Sequence, residues 1–194
     1  MTAKREIGLF FGSFNPIHIG HLILANYMIE YSEMDEVWFV VSPQNPFKNS
    51  NSLLPEIHRY AIVDRAIEDE YKFKVSNIEF NMSKPSYTID TLVNLHEKYP
   101  DISFSLIMGA DNLTHLHKWK NVDVMLEDHK VYVYPRPNSK PGKLDNHPSI
   151  NLMNAPKIDI SASFIRSAIK DNKDISWFLP KKAWIYITEM GFYK

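Results

Sequence analysis

At 194 residues, 44% of them hydrophobic and 13% aromatic, the chain can bury one substantial core without disulfides or a metal staple, and a single domain spanning 1–194 is expected. Its 22 basic and 23 acidic side chains leave a formal net charge of −1, which excludes a global electrostatic pull toward nucleic acid or an anionic membrane. Nowhere do about 18 apolar residues run together, the N-terminal apolar run is too short for a secretory signal, and the lack of cysteine fits a reducing compartment, so a cytoplasmic protein is expected.

Residues 7–11, IGLFF, form a continuous apolar run that suits a strand buried on both faces of a parallel sheet. The decapeptide GSFNPIHIGH follows at 12–21, and Leu22, Ala25, Asn26 and Ile29 continue from it with helical spacing. Strand, turn and helix thus succeed one another, with Gly12 and Gly20 offering close backbone approach or positive φ and Pro16 fixing φ between them. A helix starting near Gly20 presents unpaired N–H groups and the positive end of its dipole, and His18 and His21 add ring donors, so the turn reads as a phosphate site. Metal ligation by the HxxH pair would need a third and fourth ligand, and the chain has neither cysteine nor an HExxH pattern.

Residues 37–41, VWFVV, make a second strand that ends in the proline-punctuated loop SPQNPFKNSNS. Pro55 opens a helix with an apolar stripe of Ile57, Tyr60, Ala61, Val63 and Ile67. Residues 71–80 alternate well enough for an edge strand, and 85–98 read as a turn into a helix with Ile89, Leu92, Val93 and Leu95 inside and Ser86 or Thr88 as its cap. Residues 102–108 give the next strand, which ends in a strand-to-loop junction, GADN, at 109–112. Trp119 lies in a short connection before a helix at 121–128, residues 131–134 form a further strand, and PRPNSKPGKLDNHP is the most loop-like stretch. A short strand at 150–153 or 158–160 leads into the helix ISASFIRSAIK, and a helix over 180–190 closes the chain. His58, Arg59, His115 and His117 fall on helices or their ends and read as ordinary surface or core residues.

Strands alternating with helices predict a doubly wound parallel α/β sheet with helices on both faces. Ligands in such sheets bind beyond the carboxyl ends of the strands, near a topological switch point. GSFNPIHIGH, SPQNPFK, GADN and PRPN all fall at such ends, and ISAS is expected to join them.

The decapeptide resembles the (T/H)xGH signature of the nucleotidyltransferase superfamily, and more closely the GG(T/S)FDPIHxGH version of the nicotinate-nucleotide adenylyltransferases. Phe11 stands where that family usually has its first Gly, and Asn15 where Asp is commoner. ISASFIR at 160–166 is similar to the family's ISSTxIR element, with Ala162 and Ser163 in place of Ser and Thr. The resemblance implies a Rossmann-like nucleotidyltransferase fold and adenylyl transfer from ATP to nicotinate mononucleotide, giving deamido-NAD and pyrophosphate, with Mg²⁺ bridging phosphates and no metal held by protein ligands. It implies that His18, His21 and Arg166 are catalytic, and that Gly12, Ser13, Phe14, Gly20, Asp111, Ser161 and Ser163 contact ATP. Lys48 is then expected to meet the mononucleotide phosphate, Trp119 to stack on the pyridine ring, and Thr88 to lie near that ring. Lys120, next to Trp119, adds long-range attraction for an acidic substituent.

Small-molecule substrates are the expected partners, with no nucleic acid and no membrane, and a homo-oligomer stays open. HIGH at 18–21 with MSK at 82–84 mimics the signature pair of class I aminoacyl-tRNA synthetases, but Lys84 precedes the GADN strand and no length remains for a tRNA-binding domain. Two alternatives stay open: an adenylyltransferase for nicotinamide mononucleotide or phosphopantetheine, and a non-catalytic ATP- or NAD-binding regulator.

Overall fold

The computed structural model describes residues 4–43, 53–84, 86–137 and 139–194. Six strands, β1 (Arg5–Gly12), β2 (Glu36–Val41), β3 (Phe73–Ser76), β4 (Ile102–Gly109), β5 (Val131–Tyr134) and β6 (Ile150–Leu152), form one sheet in the order β3-β2-β1-β4-β5-β6. Every neighbouring pair is parallel. The order reverses between β1 and β4, whose ladder runs from Arg5 opposite Ile102 to Phe10 opposite Ile107. That switch point is where a parallel sheet opens a crevice for ligands.

Side chains alternate across the strands and both faces are covered, which is why the strands read as unbroken apolar runs. Phe10, Phe39, Ile107 and Tyr132 point to one face, where α1 (Ile19–Tyr31), α2 (Glu56–Ile67), α6 (Ala162–Lys170) and α7 (Lys181–Glu189) supply Met28, Ile62, Ile165 and Ile187. Leu9, Val40, Leu106 and Val133 point to the other, packed by Leu92 and Leu95 of α3 (Thr88–Lys98), Leu116 of α4 (Ala110–Leu116) and Met125 of α5 (Val122–Asp128). A short 3-10 turn, Ser176–Phe178, precedes α7.

The doubly wound parallel sheet is as expected, and the structure corrects several local readings. GADN is not a strand-to-loop junction: β4 passes straight into α4, where Leu113 and Leu116, one turn apart, bury against the second core. On α2 the buried stripe is Arg59, Ile62, Val63 and Ile67, and Ile57 is 66% exposed. Val93 of α3 likewise faces outward, while Thr91 faces in. Tyr87 occupies the N-cap of α3, and neither Ser86 nor Thr88 does. The strand near the C-terminal end of the sheet is β6, and residues 158–160 are not a strand.

Candidate active site

The turn after β1 is shaped from its own residues. Neither Gly12 nor Gly20 has positive φ; the left-handed residue is Phe14, at φ 42°, whose ring is buried edge-on against Phe10, Phe39 and His21. Gly20 is required by close approach: a Cβ there would lie 2.7 Å from Ile158 Cγ2 and 3.0 Å from His18 Nδ1. The Asn15–Pro16 peptide is cis. With the Phe14 ring in the core, only the backbone of that residue is left for a ligand in the turn.

His18 is the N-cap of α1, and its ring lies 3.8 Å, centroid to centroid, from that of His21 one turn on. The His18 backbone N–H donates to His21 Nδ1 at 3.2 Å, which leaves the His21 proton on Nε2 as a donor. Burial, and then the positive charge of Arg136, push the His18 pKa down to about 4. At neutral pH His18 is therefore an uncharged imidazole. Its Nδ1 is buried with no hydrogen-bond partner among the described residues.

Arg166 on α6 reaches this turn from 151 residues away, Nη1 donating to the Asn15 carbonyl at 2.8 Å and Nη2 to Ser163 Oγ at 3.4 Å. Ser161 is the N-cap of α6, its Oγ accepting from the Phe164 N–H at 3.1 Å. ISAS and GSFNPIHIGH thus meet, as the polar-end reading expects. Ile158, just ahead of α6, packs over Gly20 at the start of α1.

Across the switch point, Asp111 lies in the first turn of α4 with Oδ1 3.8 Å from Arg136 Nε. Both side chains sit over Gly109, where a Cβ would collide with the carboxylate and lie 3.0 Å from Arg136 Cγ. Arg136 also donates to the Tyr134 hydroxyl at 3.3 Å. Trp119, half-buried, lines a small cavity with Phe10, Phe11, Gly109, Asn112 and Tyr134. Lys120 pairs with both oxygens of Asp90, at 3.0 and 2.9 Å, which ties the Trp119 connection to the first turns of α3 and hence to Thr88. Its ammonium is already countered, so the long-range attraction expected of it is largely spent on Asp90. Lys48 lies outside the described residues.

Three buried polar groups hold the crevice and were passed over in the sequence. Arg59, fully buried, donates to the carbonyls of Ser13 (2.6 Å), Ser42 (2.8 Å), Pro43 (2.9 Å) and Leu54 (2.7 Å), and so joins the ends of β1 and β2 to the start of α2. Glu79 is buried and accepts from Thr91 Oγ1 at 2.9 Å; burial raises its pKa against the opposing hydrogen bonds of Thr91, Ser42 and Ser86. Asn15 accepts from Arg166 and Leu54 and is itself buried. Arg136 had a signal, as the one cation in the PRPN cluster at a strand end. Arg59 had one too, since it occupies the i−3 and i−4 positions of the Ile62 and Val63 stripe. Among the described residues no group of three or more His, Cys, Asp and Glu could hold a metal ion, and no helix is long and apolar enough to cross a membrane.

A parallel 3-2-1-4-5-6 sheet with a His-bearing turn and an arginine converging at its switch point defines a nucleotide-handling α/β protein. The cytidylyltransferase-like family matches residues 9–168. The chain is 52% identical to a protein of Christiangramia forsetii named as a nicotinate-nucleotide adenylyltransferase, over 98% of this chain and all of that one. A protein of the same name from Bacteroides thetaiotaomicron is 43% identical over 96% of this chain and 92% of its own. Among solved structures, nicotinic acid mononucleotide adenylyltransferase of Plasmodium falciparum, complexed with NaAD, shares the fold with a TM-score of 0.80 at 22% identity, covering 97% of both chains. The chain belongs to the cytidylyltransferase-like family and, within it, to the nicotinate-nucleotide adenylyltransferases.

Proposed function

We propose that the protein transfers the adenylyl group of ATP to nicotinate mononucleotide, releasing pyrophosphate and forming deamido-NAD in NAD biosynthesis, and that residues 1–194 work as one nucleotidyltransferase domain. One observation carries the reading: Arg166 and the His18–His21 pair, from opposite ends of the chain, meet on a single turn at the carboxyl end of β1. Their chemistry is that of phosphate donors.

The mononucleotide phosphate, ionised at neutral pH, attacks the α-phosphorus; a new P–O bond forms, the bond to the β-phosphate oxygen breaks, and pyrophosphate leaves with the electron pair. No general base is needed. His21 donates from Nε2 to the charge that develops on the phosphoryl oxygens, with uncharged His18 beside it and the α1 N-terminus adding its dipole. Arg166 would turn its remaining N–H groups to the β and γ oxygens while Nη1 holds Asn15 and Nη2 reaches Ser163. Gly12, Ser13, Phe14 and Gly20 give backbone to the turn, Ser161 and Ser163 add hydroxyls from α6, and Asp111 faces the ribose. Mg²⁺ carried on ATP would supply neutralisation of phosphate charge; the imidazoles and guanidinium around the turn suit phosphate oxygens and not this metal ion, and the nearby Asp111 carboxylate is within 3.8 Å of Arg136. Trp119 stacks on the pyridine ring with Thr88 beside it, and Lys48 meets the mononucleotide phosphate. The near-neutral charge and the lack of cysteine fit the proposal of a cytoplasmic protein without a nucleic-acid or membrane partner.

The test is pyrophosphate release from ATP and Mg²⁺ with nicotinate mononucleotide, nicotinamide mononucleotide and phosphopantetheine offered separately. Release with the first is expected, and ATP binding without release to any acceptor would overturn the reading in favour of a regulator.

A further inference from the structure

Helix α7 ends in a left-handed turn that redirects the chain toward the ATP turn. Gly191, at φ 65°, follows the C-cap Met190, its N–H bonding Thr188 O at 3.2 Å while the Phe192 N–H bonds Ile187 O at 3.1 Å. This pairing of 5→2 and 6→1 bonds is a Schellman motif, which needs a residue without Cβ strain at its left-handed position. Phe192 then packs on His58 of α2 and Tyr186 of α7, with ring centroids 5.0 and 5.8 Å apart. Tyr193 points into the protein, and its hydroxyl donates to Asn15 Oδ1 at 2.9 Å, across 178 residues of sequence.

Asn15 is the residue whose carbonyl seats Arg166. Its side-chain oxygen thus holds Tyr193 and the Leu54 N–H while its main-chain oxygen holds the guanidinium. The Tyr193 hydroxyl lies within electrostatic reach of both Arg166 and Arg59, and burial raises its pKa, so it stays a neutral donor. We propose that Tyr193 is a positioning residue for ATP: by fixing Asn15 it sets the plane and direction of the Arg166 fork. The idea rests on the adenylyl-transfer reading for its consequence in turnover. A guanidinium recognises phosphate through geometry as well as charge, so a seat that can tilt weakens the contact without removing it.

Tyr193→Phe keeps the ring and its packing and deletes only the hydroxyl. Loss of one such hydrogen bond should raise the KM for ATP about 3- to 10-fold, with the KM for nicotinate mononucleotide changed less than about twofold and the melting temperature close to wild type. In an Arg166→Ala background the same substitution should add nothing, because the group that Tyr193 aims is gone. ATP dissociation constants by calorimetry give the same cycle where turnover is too slow to measure. An unchanged ATP KM, an equal increment in both backgrounds, or a fall in melting temperature without an ATP effect would overturn the proposal and leave Tyr193 a packing residue. A wild-type protein that binds ATP but releases no pyrophosphate would instead overturn the reaction, and the calorimetric cycle would still decide the role of Tyr193.

Discussion

In the proposed reaction His21 would donate where charge develops, so its removal should act on the chemical step. His21→Ala is expected to lower kcat about 100- to 1000-fold with a much smaller change in ATP affinity, measured by steady-state pyrophosphate release. A loss under about tenfold in a folded variant would make His21 structural. Arg166→Lys keeps the charge but cannot hold Asn15 and Ser163 while presenting a fork, so kcat/KM for ATP should fall at least about tenfold. His18 shows the same geometry in stability. Its pKa is near 4 in the folded protein against 6.5 unfolded, so between those values the unfolded chain binds the extra proton and stability falls as pH drops from 6.5 to 4. The loss is on the order of 3 kcal/mol. Urea unfolding at pH 7 and pH 4 should show that much less pH dependence in His18→Asn than in wild type.

On the proposed reading the acceptor side would fall to α3 and the connection from α4 to α5, which Lys120 and Asp90 staple together. With Lys120 already paired, if the ring sits by Thr88 and Trp119 as proposed, discrimination between acid and amide would come from hydrogen bonding there: a carboxylate only accepts, whereas an amide also brings two donors that a site of backbone N–H groups would leave unpaired. Nicotinate mononucleotide should therefore exceed its amide in kcat/KM by a factor of about 100 or more, measured under identical ATP and Mg²⁺. Equal values would refute the acid preference while leaving adenylyl transfer standing. The strands β1, β2, β4 and β5 were legible because burial on both faces writes them as apolar runs, and the turn at 12–21 because Gly, Pro and His punctuate it. Helical phase was less legible. Ile57 and Val93 are apolar yet exposed, whereas Thr91 and the charged Arg59 face inward, the latter in phase with Ile62 and Val63 but against the expectation for its charge. Helix α4 is short enough to read as a loop, and the links from Arg166 and Tyr193 to Asn15 span 151 and 178 residues, beyond any local pattern.

At the scale of the whole molecule, α1, α2, α6 and α7 share one face and α3, α4 and α5 the other. The first helices of the chain thus pack with its last, and the crevice lies between β1 and β4. That central ladder pairs Arg5 with Ile102, so it closes across about half the chain before any of its bonds form. Long closures slow folding, since entropy is lost before contacts compensate it. The turn that would cradle the phosphates is local, but Arg166 follows β4, β5 and β6 in sequence, so it is expected to reach the turn only after the far half of the sheet has docked. In refolding from urea, followed by tryptophan fluorescence and by ATP binding on the same samples, nucleotide affinity should recover in the slowest phase and never ahead of it. Affinity that returned earlier would mean the turn alone holds ATP. Late recovery would make nucleotide affinity a reporter of completed folding, so that a partly folded chain does not sequester ATP.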